Sequence, residues 1–396
     1  MTGSPHSWVR RRRAAAVAAA AIAALVAAGC STTSTTSSPS GGGGSGASGT
    51  GVDTAALADG YKGAFDPPPS SGPAAQKGKN VWYISCGQAY VACASSAVSF
   101  KEAGTALGWN VTIVDGKADP STAANAIKQA VNGDVDGVAL FTYDCPGLKS
   151  ALLQAKAANM PVVNYGSLDC DDSAFGGEPL FAASVKEQDS TNQADMWGVL
   201  GKARADYVAA SVGADGGTVI NINETSQRAH QYQQIAFAKE IADKCPKCKV
   251  VDVPFTFSQV PNPATAIWKS ALLKNPDAKA ITWDTDALMG LGLSSAIQQS
   301  RRGSDLLKIG AEGNLPNMEL IRSGQQTSSS FIPYGWYQWA AADTLNRLFS
   351  GEKAADLPSQ GGGFQYVDKD HNLPAAGQPV KVAVDYQSAY KAVWNG

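Results

Sequence analysis

The sequence has little charge and little histidine. Only 17% of its 396 residues are charged and the formal net charge is −2. Nucleic-acid binding depends on a basic surface that neutralises phosphates, so this balance gives no electrostatic basis for such a partner. The three histidines, His6, His230 and His371, are too few and too far apart to predict a metal site. The G-x-S-x-G motif of many hydrolases is missing as well, and we expect no metal and no other cofactor.

The chain also lacks an N-terminal apolar run long enough to cross a bilayer as an ordinary helix. Residues 14–28 are apolar and follow four consecutive arginines at 10–13, which is typical of a signal peptide within residues 1–29. The run ends in Leu-Val-Ala-Ala-Gly-Cys at 25–30, which resembles a lipobox, the bacterial lipoprotein signal. This resemblance implies a lipid on Cys30 that anchors the exported protein outside the cell membrane. A plain secretory signal and twin-arginine export are the alternatives.

Six cysteines remain once Cys30 is set apart, and an even number in an exported chain favours disulfide bonds. Six cysteines allow fifteen pairings, and their number alone leaves the choice open. The fold predicted below narrows the choice of pairing. Two cysteines can bond when they flank one loop, follow neighbouring strands or lie in one turn. The predicted pairs are Cys86–Cys93, Cys145–Cys170 and Cys245–Cys248.

Strands alternate with helical stretches over residues 79–166, beginning with the apolar segment Asn80-Val-Trp-Tyr-Ile-Ser85. Four strands separated by three helices predict right-handed βαβ units and a parallel sheet. In open parallel sheets, ligands bind beyond the carboxyl ends of the strands. We therefore expect residues 86–90, 142–144 and 165–167, which follow three of these strands, to border a binding crevice.

A second strand and helix series begins at residue 218, after a long helix predicted at 189–212. Its last strand is predicted at 379–384. Residues 30–78 are rich in Ser, Thr, Gly and Pro, which predicts a flexible linker behind the lipidated cysteine. Two similar series in one chain indicate an α/β protein with two parallel-sheet lobes and a cleft between them.

Several segments in a fixed order resemble the type I periplasmic substrate-binding proteins, especially the ribose- and galactose-binding branch. Besides the first strand, the matching segments are ADPSTAANAIKQA at 118–130, GDVDGVAL at 133–140, ITWDTDALMG at 281–290 and IGAEG at 309–313. No single segment is highly specific, but their order and spacing cover most of the chain. The resemblance implies two Rossmann-like lobes that are joined by a hinge of three crossovers and close on a ligand.

The lobes of this family are discontinuous in sequence. Carried over, the N-terminal lobe comprises residues 79–183 and 333–355, and the C-terminal lobe comprises residues 184–332 and 356–396. The implied function is capture of a small solute, usually a sugar, and its delivery to the permease of an ABC importer. We expect a monomer that acts by hinge closure, without enzymatic activity.

The resemblance also implies a set of ligand contacts, because sugars are bound by polar side chains at their edges and by aromatic rings on their faces. Gln88 and Tyr90 match the family's first Asn and aromatic, whereas Asp284 and Glu312 replace an Asn and an Asp. Ser167 lies where the ribose branch has Arg, a departure that puts ribose or glucose in doubt. The predicted ligand-binding residues are Gln88, Tyr90, Asp144, Tyr165, Arg228, Gln233, Trp283, Asp284, Glu312, Tyr334 and Trp336.

Other functions compete with this interpretation. A receptor that passes the ligand signal to a membrane kinase would have the same sequence features. A glycosidase would need two carboxylates, which Asp284 and Glu312 could imitate. The Cys245-Pro-Lys-Cys248 segment resembles a redox motif, but it follows a helix, whereas a redox CxxC opens one. Asp286, just before a predicted helix, is expected to cap that helix.

Overall fold

The computed structural model describes residues 53–188, 190 and 192–396. The signal peptide, Cys30 and the first part of the expected linker lie outside these residues. The strands of the described part are β1 (Ala64–Asp66), β2 (Asn80–Ser85), β3 (Asn110–Asp115), β4 (Gly137–Phe141), β5 (Val162–Tyr165), β6 (Ala183–Ser184), β7 (Gly217–Glu224), β8 (Cys248–Phe255), β9 (Ala280–Trp283), β10 (Leu307–Glu312), β11 (Ser328–Phe331) and β12 (Gly362–Asp368).

The α-helices of the same residues alternate with these strands. They are α1 (Ala58–Lys62), α2 (Val91–Ala106), α3 (Pro120–Val131), α4 (Cys145–Ala157), α5 (Gln193–Val212), α6 (Arg228–Lys244), α7 (Ala264–Lys274), α8 (Ser294–Ser300), α9 (Leu315–Arg322), α10 (Tyr334–Phe349) and α11 (Tyr386–Asn395). None of these described helices has both the length and the apolar character needed to cross a membrane.

Local sequence explains where several helices begin. Helix α3 has a proline at its first position, where no backbone N–H is needed. The Asp119 carboxylate caps it by accepting the backbone N–H groups of Ser121 at 3.2 Å and Thr122 at 2.9 Å. Helix α5 begins at Gln193, four residues later than predicted, after the Asn192 side chain caps it.

The strands form two sheets, as the two series of the sequence predict. The first-lobe sheet has the order β3-β2-β4-β5-β6, and all its pairs are parallel. The second-lobe sheet has the order β1-β12-β11-β10-β9-β7-β8, with parallel pairs from β11 to β8. Strand β12 is antiparallel to β11, and β1 is antiparallel to β12. This confirms the predicted α/β fold class.

The chain passes between the sheets in the way that a two-lobed hinge requires. It leaves the first sheet after β6 and returns from the second sheet after β11, through residues 332 and 333, to α10. Helix α10 packs against α2, β4 and β5 of the first lobe. The third passage, after α10, leads to β12 of the second sheet.

The linker expected at 30–78 is ordered in its second half, which corrects the prediction. Leu57 and Tyr61 are 2% and 9% exposed and belong to the core of the second lobe. Strand β1 pairs with β12 through Ala64 and Phe364, among others. The chain then reaches the first lobe, where Arg347 of α10 donates to the carbonyl oxygen of Ser71 at 2.6 Å. This segment has few apolar residues, and it is ordered because β12 and the core of the second lobe, which are distant in sequence, supply its contacts.

The C-terminal region differs from the prediction in two ways. No strand forms at 379–384, and the second lobe instead gains β12, which starts within three consecutive glycines, a residue type that weakens strands. Helix α11, which the sequence predicts at 387–393 and the resemblance places with the tail in the second lobe, packs on the first lobe. Trp394 stacks on Trp339 of α10 with ring centroids 5.4 Å apart, and its indole N–H donates to Asp343 at 2.8 Å.

All three predicted disulfides are present. Cys86 pairs with Cys93, Cys145 pairs with Cys170, and Cys245 pairs with Cys248. The first two bonds fix loops at the carboxyl ends of first-lobe strands. The third joins the end of α6 to the start of β8, so the cysteines follow a helix as predicted and do not open one.

Candidate functional site

The carboxyl ends of the strands of both sheets meet between the lobes. The indole N–H of Trp197, on α5, donates to the carbonyl oxygen of Gly166 after β5 at 3.1 Å. The backbone N–H of Gly166 donates to the Gln193 side chain at 2.6 Å. Tyr334 begins α10 and packs its ring on Phe141 of β4, at 5.3 Å between centroids. These contacts define the interlobe edge that the sequence predicts as the ligand crevice.

Glu312 ends β10 and gathers hydrogen bonds from both sides of this edge. One carboxylate oxygen accepts from the Thr285 hydroxyl at 2.9 Å, the Asp286 backbone at 3.2 Å and the Asn314 amide at 3.2 Å. The other accepts from the Tyr334 hydroxyl at 3.1 Å. Its φ of +85° is rare for a residue with a side chain, which indicates that the surrounding contacts hold it there. Burial raises the pKa of Glu312, against the effect of His230.

Asp284 and His230 form a buried charge pair next to Glu312. His230 Nδ1 lies 3.4 Å from Asp284 Oδ2, and both side chains are almost fully buried. Burial lowers the pKa of His230, but Asp284, Glu224 and Glu312 outweigh it and raise this pKa to about 8. Burial also opposes the charge on Asp284, yet His230 and Arg204 hold its pKa below the usual value. At neutral pH the pair is therefore ionised.

Two buried acceptor atoms near the ends of second-lobe strands have no hydrogen-bond partner among the described residues. They are Oδ1 of Asp284 and Oδ1 of Asn223, near the end of β7. The remaining oxygen of Asp284 accepts the backbone N–H of Glu224 at 2.7 Å. Burying a polar atom without a partner costs free energy, so these atoms favour a partner that the protein alone does not supply.

Asp286 and Trp283 differ from their predicted roles. Asp286 does not cap a helix: its carboxylate accepts from Trp283 Nε1 at 3.0 Å, Gly313 N at 2.9 Å, Ser329 Oγ at 2.6 Å and Gln326 Nε2 at 3.1 Å. It thus ties together the ends of β9, β10 and β11. Trp283 is fully buried in the core beneath, where strand alternation turns it away from the edge, so its position favours core packing over ligand contact.

The predicted first-lobe residues lie in loops fixed by the two disulfides. Gln88 and Tyr90 are exposed in the loop between Cys86 and Cys93, where Tyr90 is 41% exposed. Asp144 follows β4 and accepts the backbone N–H of Leu168 at 2.9 Å. Burial raises the pKa of Asp144, and Arg228 of the second lobe opposes that shift.

The predicted aromatic residues separate into hinge and core positions. Tyr165 is fully buried and stacks on Tyr337 of α10, with centroids 4.6 Å apart, which makes it part of the hinge packing. Trp336 is also fully buried: it stacks on Tyr386 and donates to the Gln360 carbonyl at 3.1 Å. Full burial leaves neither ring face open, although Tyr165 also packs against Phe141 and Tyr334 at the interlobe edge. Of the predicted aromatics in this hinge region, Tyr334 alone bonds to the second-lobe network.

The two predicted residues on α6 have different surroundings. Arg228, in its first turn, lies 3.7 Å from Asp172 of the first lobe and packs over the Tyr232 ring at 4.4 Å. Gln233 is 1% exposed, and neither polar atom of its side chain has a partner. It lies where α6 approaches α5 closely, since a Cβ on Gly201 would come within 2.1 Å of the Gln233 carbonyl oxygen.

Four residues of this edge were missed as site residues. His230 was considered only as a metal ligand, and Glu224, Asp172 and Tyr232 were not considered. An acidic residue at a strand end, as Glu224 is, could have been found by the reasoning that found Asp284. The histidine could not, because its charge depends on carboxylates that are distant in sequence. Within the described residues, Cys145, Asp169 and Cys170 bring ligand-type atoms within 4.8 Å of one another, but the two sulfurs are bonded to each other.

Comparisons with known proteins agree with this geometry. A sequence profile of the periplasmic binding protein domain matches residues 94–353. A search of curated protein sequences gives no significant match.

Solved structures with the same fold cover about three quarters of the chain. A solute-binding protein from Actinobacillus succinogenes with bound D-allose has a TM-score of 0.62 at 16% identity, covering 74% of this chain and 98% of its own. One from Mycobacterium smegmatis with bound glycerol has a TM-score of 0.60 at 20% identity, covering 77% and 99%. A galactofuranose-binding protein has a TM-score of 0.59 at 18% identity, covering 74% and 95%.

The profile, the two parallel sheets and the three passages between them point to one family, whose members bind solutes and are not enzymes. The chain belongs to the periplasmic binding protein family, in its two-lobed type I form.

Proposed function

We propose that this protein is the solute-binding component of an ABC importer and that its solute is a small sugar or polyol. The observation that carries the proposal is the set of unpartnered acceptors at the ends of β7 and β9. Asp284 Oδ1 and Asn223 Oδ1 are buried without a donor. The hydroxyl groups of a sugar are such donors, and charged acceptors make the stronger hydrogen bonds. The structural neighbours with bound D-allose and glycerol support the same ligand class.

The proposed mechanism is closure of the two lobes around the solute. Second-lobe groups such as Asp284 bind the hydroxyls, while first-lobe loops carrying Gln88, Tyr90 and Asp144 cover the other side. A ligand that contacts both lobes binds the closed state better than the open one and shifts the population towards it. A dissociation constant near micromolar, about −8 kcal/mol, would allow both capture and release.

Lipidation of Cys30 completes the proposal, because the anchor would keep the monomer beside the permease on the outer face of the membrane. A Cys30→Ser variant should appear in the medium and not in the membrane fraction of the producing cell. Membrane retention of this variant would contradict the lipid anchor and leave the binding proposal untouched.

Ligand class is tested by a thermal-shift screen of the full chain in detergent against pyranoses, furanoses, polyols, amino acids and nucleosides. A ligand that binds only the folded state raises the melting temperature. We expect a shift with a sugar or polyol, and its loss in Asn223→Ala, which removes one unpartnered acceptor. A shift with only an amino acid or nucleoside would overturn the ligand class. Transport of the identified solute should fail when the permease gene is deleted, whereas a kinase-coupled receptor would leave transport intact.

A further inference from the structure

The loop that follows β5 is held in place by contacts within the first lobe. The Asp169 carboxylate accepts the backbone N–H groups of Cys170 at 2.7 Å, Leu180 at 2.9 Å and Phe181 at 3.2 Å. The disulfide from Cys145 holds the same loop from the other side. All of these partners belong to the first lobe, so the loop keeps its shape whatever the second lobe does. At its tip it carries Asp172.

Asp172 reaches across to the first turns of α6 in the second lobe. Its Oδ2 accepts the Tyr232 hydroxyl at 2.6 Å, and its Oδ1 lies 3.7 Å from Arg228 Nε. The Asp172 side chain is 8% exposed, so these partners replace most of its water. The hydrogen bond from the Tyr232 hydroxyl to this carboxylate is of the stronger, charge-assisted kind. Arg228 Nε makes no hydrogen bond to Asp172 and contributes as the partner of an ion pair.

The α6 partners are held in place before they meet Asp172. Arg228 donates through Nη1 to the Gln231 side chain at 2.7 Å, and its guanidinium packs over the Tyr232 ring. Its Nη2 also donates to the Tyr232 hydroxyl at 3.2 Å. Both sides are therefore ordered within their own lobe, and little side-chain entropy is lost when they join.

We propose that Asp172, Arg228 and Tyr232 form an interlobe latch that stabilises the closed state, and that Arg228 positions the lobes without touching the solute. The latch contacts exist only when the lobes are together, since Asp172 belongs to one lobe and its partners to the other. Interactions that one conformation makes and the other lacks shift the equilibrium between them. The latch rests on the proposed closure mechanism, but its effect on closure does not require that the solute be a sugar.

Closure of the lobes without ligand is measured by double electron–electron resonance, which gives the distance between two spin labels, on the full chain in detergent. Spin labels are placed at Gln129→Cys on α3 and Lys274→Cys on α7, both exposed, in a Cys30→Ser background. We expect Asp172→Asn and Tyr232→Phe each to move the distance distribution towards longer values. Asp171→Asn, which removes the same charge from the exposed neighbouring residue, should leave the distribution unchanged.

Binding gives the second readout, with D-allose as the probe or, if it does not bind, the compound with the largest thermal shift. Each latch variant should weaken binding about tenfold, through faster dissociation. The double variant should be no weaker than the stronger single one, because both changes break one contact. The melting temperature without ligand should stay close to that of the native chain.

Two outcomes would overturn the latch. Unchanged distances together with unchanged affinity in both variants would show that the contact carries no closing energy. Weaker binding with unchanged distances would make these residues direct solute contacts. A failed sugar screen with lengthened distances would overturn the proposed ligand class and leave the latch standing, so the two proposals fail separately.

Discussion

The two lobes hold their interlobe edges by different means. On the first lobe the edge consists of partly exposed loops, and the disulfides Cys86–Cys93 and Cys145–Cys170 fix two of them. On the second lobe a buried network of carboxylates, one histidine and their donors does the same, and the disulfide of that lobe lies at the opposite end of β8. Exposed loops bury too little surface to order themselves, whereas a buried charge network orders itself but tolerates no missing member.

The largest effect should come from removing a charge from the second-lobe network. Asp284→Ala removes the carboxylate that pairs with the buried His230 and favours the charge on the buried Arg204, and it leaves the Glu224 N–H without its acceptor. Breaking a buried pair by removing one partner costs about 4 kcal/mol of unfolding free energy. Urea denaturation followed by circular dichroism measures the loss. Asp305→Ala, which removes a largely exposed carboxylate, should change the midpoint little. Equal midpoints for the two variants would refute the pairing.

The second prediction concerns the disulfide bonds that hold the first-lobe loops. The double variant Cys145→Ser, Cys170→Ser should lose about 3 kcal/mol of unfolding free energy, because the bond closes a loop with a sequence separation of 25. The variant Cys245→Ser, Cys248→Ser opens a separation of only 3 and should lose less. Only the first variant should also weaken solute binding. Calorimetry measures both the unfolding free energy and the affinity for the solute. A larger loss of either quantity in the Cys245→Ser, Cys248→Ser variant would show that the Cys145–Cys170 bond does not hold the binding loops.

A third prediction concerns pH and the second-lobe network alone. The pKa of His230 is raised from 6.5 to about 8, so the folded protein holds this proton more tightly than the unfolded chain. The resulting stabilisation, about 2 kcal/mol, is complete below pH 6.5 and disappears as the pH rises through 8. Chemical denaturation at pH 6 and pH 9 measures it. His230→Gln should flatten the difference, and an unflattened difference would assign it to other groups.

The smallest effect should come from Tyr334→Phe. The native tyrosine contacts the interlobe edges of both lobes. The variant keeps the ring on Phe141 and removes the hydroxyl that donates to Glu312. We expect a loss of about 1 kcal/mol in solute-binding free energy, measured by titration calorimetry. Tyr390→Phe is the matched control, since its hydroxyl bonds to the Gln360 side chain and not to Glu312, and its loss should spare binding. Similar affinities for both variants would remove Tyr334 from the site.

The sequence predicts features that depend on neighbouring residues better than features that depend on distant ones. The strands from β2 to β5 follow directly from apolar runs between helical stretches. The Cys145–Cys170 bond follows from the order of those strands, and the other two bonds follow from a shared loop and a shared turn. Strand β1 could not be found in this way, and neither could the packing of the predicted C-terminal helix, α11, on the first lobe. Ala64 of β1 pairs with Phe364, about 300 residues away, and Trp394 of α11 stacks on Trp339, about 50 residues away.

The site follows the same rule. Asp284 and Glu312 were predicted because they replace an Asn and an Asp of the family's pattern, and both lie at strand ends, a position that can be predicted locally. Whether an aromatic residue faces the edge or the core depends on one step of strand alternation, and for Trp283 the core prevailed. Arg228 was predicted as a ligand contact, and only the folded chain shows that Asp172 lies beside it.

The packing of α11 on α10 has a consequence for the order of synthesis. The core of the first lobe includes Trp394 as well as Tyr83, so residues from both ends of the described chain complete it. A ribosome must therefore release almost the whole polypeptide before this lobe can finish folding. Domains that are complete early fold during translation, and this one is complete late. A chain exported as proposed above would therefore still have an incomplete first lobe while its last residues remain on the ribosome.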